Sequence, residues 1–169
     1  GSHDTPRIRS LLAGDRERVR LAIAILLTYV GAPCIYYGDE VGLGEVDSFE
    51  ARQCMAWEQA AWDAGLRSYC QSLIRLRRTS PVLIEGGFQV LSVEENVLAY
   101  LRDTDDAQMI VVGNRGPGVR PAGPLPVAHG GIPDGMEFRE LFSGQCATVV
   151  NGCLPLPAVP AGVQIWCSS

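Results

Sequence analysis

At 169 residues, with 47% hydrophobic and 20% charged residues, the chain has the composition of one ordinary folded domain, or of a small domain joined to part of another. A net charge of -5 excludes a nucleic-acid surface built on clustered Lys and Arg; the short run Arg75, Arg77, Arg78 reads as the solvated last turn of a helix. No stretch supplies the ~20 apolar residues of a membrane span, because the longest, 21–30, halts at Gly31 and Pro33, and no charged-then-apolar leader opens the chain. The expectation is a soluble protein, cytoplasmic or secreted, with no membrane and no nucleic-acid partner.

In chain order, Asp15 is a helix N-cap, and Val19, Ala22, Ile23, Leu26, Leu27 and Val30 recur at helical spacing, predicting a helix over 16–30 with one apolar stripe. Gly31 and Pro33 end it. The run 34–37 is short, apolar and aromatic without alternation, the texture of a parallel strand covered on both faces. Residues 41–58 read as a long loop. Over 60–79 the positions Leu66, Tyr69, Cys70, Leu73, Ile74 and Leu76 are again helical, and Ser80-Pro81 stops the element and marks a domain boundary.

Beyond Pro81 the pattern changes to alternating runs at 88–93, 97–102, 108–113, 136–142, 146–150, 153–156 and 163–167, the strands expected of an antiparallel sandwich. Glu94-Glu95-Asn96 and Asn151-Gly152 are its hairpin turns, the second a strong two-residue turn signal. The Gly/Pro-rich stretch 116–135 reads as a surface loop. The six cysteines (34, 54, 70, 146, 153 and 167) form no close pair of the zinc type, and four sit in apolar contexts, so they read as buried free thiols; Cys146 and Cys153 could be bridged only if their Cα atoms approached within ~7 Å. No run of Asp and Asn at alternating positions suggests calcium, so no metal and no cofactor is expected.

Two motifs carry chemistry. SHDTPR at 2–7 places a His-Asp pair at a loop start, and GAPCIYYGDEVGLGE at 31–45 follows one helix later. With RQCMAW at 52–57, LIRLRRTSPVL at 73–83 and the β-rich tail, they make the chain resemble the C-terminal part of an alpha-amylase family enzyme, glycoside hydrolase family 13. The Ser before His-Asp and the Thr-Pro-Arg after it are most similar to neopullulanases, cyclomaltodextrinases and maltogenic amylases. The resemblance implies α/β plus all-β architecture: over 1–80 the end of a (β/α)₈ TIM barrel, from the end of its seventh strand through its eighth helix, and over 81–169 an antiparallel β-sandwich. A complete barrel needs ~250 residues, so the chain would hold only its closing part.

The resemblance assigns roles residue by residue. Asp4 matches the family's third essential carboxylate, the transition-state stabiliser that holds the 2- and 3-hydroxyls of the cleaved sugar. His3 matches its neighbour, a hydrogen-bond donor to the same sugar, and Arg52, with Trp57, falls where the family has an Arg-x-x-Met-x-Trp segment beside the cleft. The Asp-Pro usual before that Arg is Ser48-Phe49 here. Asp39 and Glu40 read as supporting residues at the barrel rim, because neighbours on a strand point to opposite faces. No residue matches the family's nucleophilic Asp or acid/base Glu.

The implied parent is a retaining hydrolase or transglycosylase acting on alpha-glucosidic bonds of starch-like glucans, maltooligosaccharides or cyclodextrins, the piece alone being inactive. The alternative is a non-catalytic carbohydrate-binding or interaction module, although Phe88, Tyr100, Phe138, Phe142 and Trp166 read as core rather than as sugar platforms. A non-catalytic family member is disfavoured by the intact SHDTPR. An apolar face left without its barrel predicts a homodimer or a domain-swapped oligomer.

Overall fold

The computed structural model describes residues 1–44 and 50–168, and its internal packing divides the chain into two units, Gly1–Arg77 and Arg78–Ser169. In the first, a single turn α1 (Ile8–Leu11) precedes α2 (Arg16–Thr28), and α3 (Ala64–Thr79) runs to the boundary. Asp15 caps α2 by accepting from the Arg18 amide at 3.1 Å. Helix α2 buries Val19, Leu21, Ile23, Ala24 and Leu27, while Leu26 and Val30 of the expected stripe are 38% and 45% exposed. The Thr28 hydroxyl folds back onto the Ala24 carbonyl at 2.7 Å, which satisfies it inside the apolar face.

Helix α3 starts later than residue 60 because Gln59–Ala61 forms a separate 3₁₀ turn. Asp63 then accepts from the Leu66 amide at 2.9 Å and meets Arg16 of α2 at 3.0 Å, tying the two helix starts together. At the other end Arg77 donates to the Tyr29 and Gly31 carbonyls at 2.8 and 2.6 Å, so it covers the C-terminus of α2 instead of standing solvated as expected.

The expected strand 34–37 forms no ladder among the described residues. Residues 34–36 belong to no helix or strand and Tyr37 begins a turn, and a strand exists only through a ladder. The 3₁₀ turn Asp39–Val41 follows directly, flanked by Gly38 (φ +87°) and Gly42 (φ +75°). A Cβ at Gly38 would stand 2.7 Å from the Leu43 side chain, so glycine is required there on two counts. Of the expected loop 41–58, the part that includes Ser48-Phe49 lies outside the described residues.

In the second unit Pro81 stops α3 and starts α4 (Pro81–Ile84), the favoured first-turn position for proline. Eight strands follow: β1 (Gly87–Val93), β2 (Val97–Asp103), β3 (Gln108–Asn114), β4 (Gly123–Pro126), β5 (Glu137–Glu140), β6 (Cys146–Thr148), β7 (Cys153–Leu156) and β8 (Gly162–Ser168). All pairs are antiparallel, in a six-stranded sheet β1-β2-β3-β8-β5-β6 and a two-stranded sheet β4-β7. Leu91, Ala99, Leu101, Ile110, Phe138 and Trp166 from the large sheet share one apolar core with Leu125, Leu154 and Leu156 of the small one.

Strand β4 lies inside what the sequence presents as loop. Pro124 and Pro126 hide it, and an edge strand tolerates proline where no ladder donor is needed. Asn151 (φ +52°) and Gly152 (φ +70°) make the predicted two-residue hairpin, and the Asp134 carboxylate accepts both their amides at 3.0 and 2.7 Å. Phe142 is exposed and Phe88 half-buried, unlike the core positions expected for them. The cysteines are free, but only Cys70 is buried; Cys34, Cys54 and Cys146 are exposed, and Cys153 and Cys167 half-buried. Cys34 and Cys54 lie outside any helix or strand, and Cys146 and Cys153 lie in strands of three and four residues, none of which an apolar context in sequence reports.

Candidate active site

Residues 2–5 close a tight turn. The Ser2 amide donates to Thr5 Oγ1 at 3.0 Å, the Asp4 amide donates to Ser2 Oγ at 3.2 Å, and His3 and Asp4 project from the tip into solvent. His3 Nε2 lies 2.9 Å from Asp4 Oδ2, and Arg52 Nη2 donates to Asp4 Oδ1 at 2.8 Å. Arg52 Nε also donates to the His3 carbonyl at 3.1 Å, so one guanidinium grips both the side chain and the backbone of the turn. Each carboxylate oxygen of Asp4 has one partner and keeps acceptor capacity for a hydroxyl donor.

Reach across 48 positions needs support, and two tyrosines supply it. Tyr36 donates its hydroxyl to the Ala51 carbonyl at 3.1 Å and Tyr37 donates to the Gln53 carbonyl at 2.7 Å, holding the backbone on either side of Arg52. Both rings in turn lie on Arg7, whose guanidinium carbon is 4.4 Å and 4.6 Å from their centroids. Arg7 is fully buried, donates to the Tyr37 carbonyl and stands 3.4 Å from Asp39. The last residue of SHDTPR is thus the rivet between the two motifs. Sequence reading named Arg7 only as part of the motif, because a buried arginine packed against two rings has no local signature.

Asp39 joins this cluster through Arg7, at 3.4 Å. Burial pushes the Asp39 carboxyl above the usual range, with the Arg7 guanidinium opposing. A raised native value means that its stabilising contribution is present below the unfolded value and is lost as pH rises through the folded one. Glu40 borders a cavity of about 210 Å³ together with Asp39, and also a groove of about 530 Å³ that Tyr37, Trp57 and Trp62 line. Trp57, 80% exposed, belongs to that groove. Among the described residues no group of His, Cys, Asp and Glu could hold a metal ion, and no helix is long and apolar enough to cross a membrane.

Comparison with known proteins agrees with the motifs. Residues 1–82 match the family described as Alpha amylase, catalytic domain. A cyclomaltodextrinase of a Bacillus species is 42% identical over 115 residues, 67% of this chain and 21% of that protein. The cyclomaltodextrinase of Geobacillus thermopakistaniensis is 31% identical over 169 residues, 98% of this chain and 29% of its own length. A solved structure named cyclomaltodextrinase superposes on all of this chain (100%) and on 28% of its own, with TM-score 0.85 and 32% identity. The chain thus spans less than a third of the length of these relatives. Its two motifs, its match to the catalytic domain and its relatives together make this chain a member of the alpha-amylase family.

Proposed function

We propose that the chain works as one portion of a longer retaining glycosidase or transglycosylase that acts on alpha-glucosidic bonds of starch-like glucans, maltooligosaccharides or cyclodextrins. In that reading residues 1–80 are the closing part of a (β/α)₈ barrel and residues 81–169 a β-sandwich domain. The observation that carries it is the meeting of Arg52 with the exposed turn that bears His3 and Asp4, 48 residues from Asp4 in sequence. A carboxylate so oriented binds the hydroxyls of the sugar whose bond breaks, and those hydrogen bonds strengthen as the ring flattens toward the oxocarbenium ion. His3 donates to the same ring, and Arg52 keeps Asp4 aimed.

Retaining chemistry needs a nucleophile and a proton donor about 5–5.5 Å apart, and both come from outside this chain. The 169-residue protein alone is therefore inactive. The test is to express the protein from its full native reading frame and assay cyclodextrin, starch and pullulan. Asp4→Asn lowers kcat about a thousandfold or more, the scale typical of catalytic groups acting as a unit. Full activity in that variant, or hydrolysis by the 169-residue chain, would overturn the reading.

A further inference from the structure

We infer that Asn151 is a site of spontaneous deamidation and that the Asp134 carboxylate is the clamp that holds this modification back. Both residues belong to the second unit, so the inference stands apart from the glycosidase reading. Asn-Gly is the pair in which the reaction meets least obstruction, because glycine has no side chain to shield its amide nitrogen. The pair occurs once in the chain, and Asn151 stands exposed at its hairpin tip. In the reaction the Gly152 nitrogen attacks the side-chain carbonyl carbon of Asn151 and forms a new C–N bond. Ammonia leaves, carrying away the Gly152 amide proton, and water then opens the succinimide ring to aspartate or isoaspartate.

Geometry opposes the first step. Both amides of the pair donate to one carboxylate, Asn151 N to Asp134 Oδ2 at 3.0 Å and Gly152 N to Asp134 Oδ1 at 2.7 Å. The Gly152 carbonyl is held too, accepting from the Val127 and Ala128 amides at 2.9 and 3.1 Å. For attack the Gly152 nitrogen must turn toward the Asn151 side chain and give up its proton, and each movement breaks a hydrogen bond to a charged acceptor. The hairpin cannot avoid the hazard by changing its glycine. Gly152 sits at φ +70°, and a Cβ there would stand 2.9 Å from the Ala128 Cβ. Once modification occurs it undoes the clamp: the new carboxylate at 151 brings a second negative charge beside Asp134, and isoaspartate lengthens the main chain of a two-residue turn.

The experiment incubates the 169-residue chain at mildly alkaline pH and follows Asn151 by peptide mapping with isoaspartate detection, beside a free peptide of residues 148–155. The folded chain converts at least about tenfold more slowly than the peptide, since reaction waits on local opening of the turn. Asp134→Ala, which removes the acceptor of both amides, speeds conversion about ten- to hundredfold. Ile110→Val, which thins the core of the same unit without touching the clamp, leaves the rate nearly unchanged. The peptide's rate in the folded chain, an unchanged rate in Asp134→Ala, or equal acceleration by Ile110→Val overturns the inference. If Asp134→Ala does not fold, hydrogen exchange in the unaltered chain decides: slow exchange of the Asn151 and Gly152 amides supports the clamp, and exchange as fast as in the free peptide overturns it.

Discussion

The two units divide the labour of this chain unevenly. Arg78–Ser169 holds a closed apolar core of fifteen buried residues, from Leu91 to Trp166, and none of the candidate site residues. Gly1–Arg77 holds Asp4, His3, Arg52, Asp39 and Glu40, yet leaves Leu26, Val30 and Trp57 open and borders two cavities with apolar walls. Stability and chemistry are thus built by different means: interdigitating strand faces in one unit, a buried arginine, capped helices and tyrosine hydroxyls in the other.

That contrast can be broken most sharply in the β unit. Phe138→Ala removes a fully buried ring and should cost about 3–5 kcal/mol in urea denaturation, whereas Leu26→Ala, at a half-open position of α2, should cost under about 1 kcal/mol. Equal costs would mean that the helical unit is as well packed as the sheet. A smaller effect comes from Asp63→Ala, which deletes the cap of α3 and should cost about 1 kcal/mol. The Leu66 amide, helped by Arg16 and opposed by burial, holds the Asp63 carboxyl below the usual range. Its contribution is therefore present above the unfolded value of about 3.9 and fades as pH falls through the folded one, so the deficit of the variant should shrink in acid denaturation curves. Least costly is Arg52→Ala: an exposed pair contributes about 0–1 kcal/mol, so thermal unfolding should barely move, while the NMR shifts of His3 and Asp4 change as the turn loses its grip.

How much was legible follows from the range of the interactions involved. The Asp15 cap, the helix over α2 and the Asn151-Gly152 hairpin depend on neighbours within a few residues, and their signals stand in the sequence. Strand β4 was hidden because its prolines argue against a strand unless it lies on an edge, and edge position depends on pairing with β7, some thirty residues later. The site behaves the same way: Asp4, His3 and Arg52 were readable as candidates through the resemblance, but the route that joins them, Arg7 under Tyr36 and Tyr37 and those hydroxyls on the backbone around Arg52, was not.

By itself the sequence determined the change from helical to alternating texture near Ser80-Pro81, the acidic surface and the motif residues, since composition, periodicity and residue type are local properties. Only the tertiary structure decided that most of the cysteines are open, that Arg77 covers the end of α2 and that, among the described residues, 34–37 has no ladder and Glu40 turns an oxygen inward without a donor. Each of these depends on what another part of the chain brings within hydrogen-bonding or packing distance, and burial and pairing are properties of that meeting rather than of any residue alone.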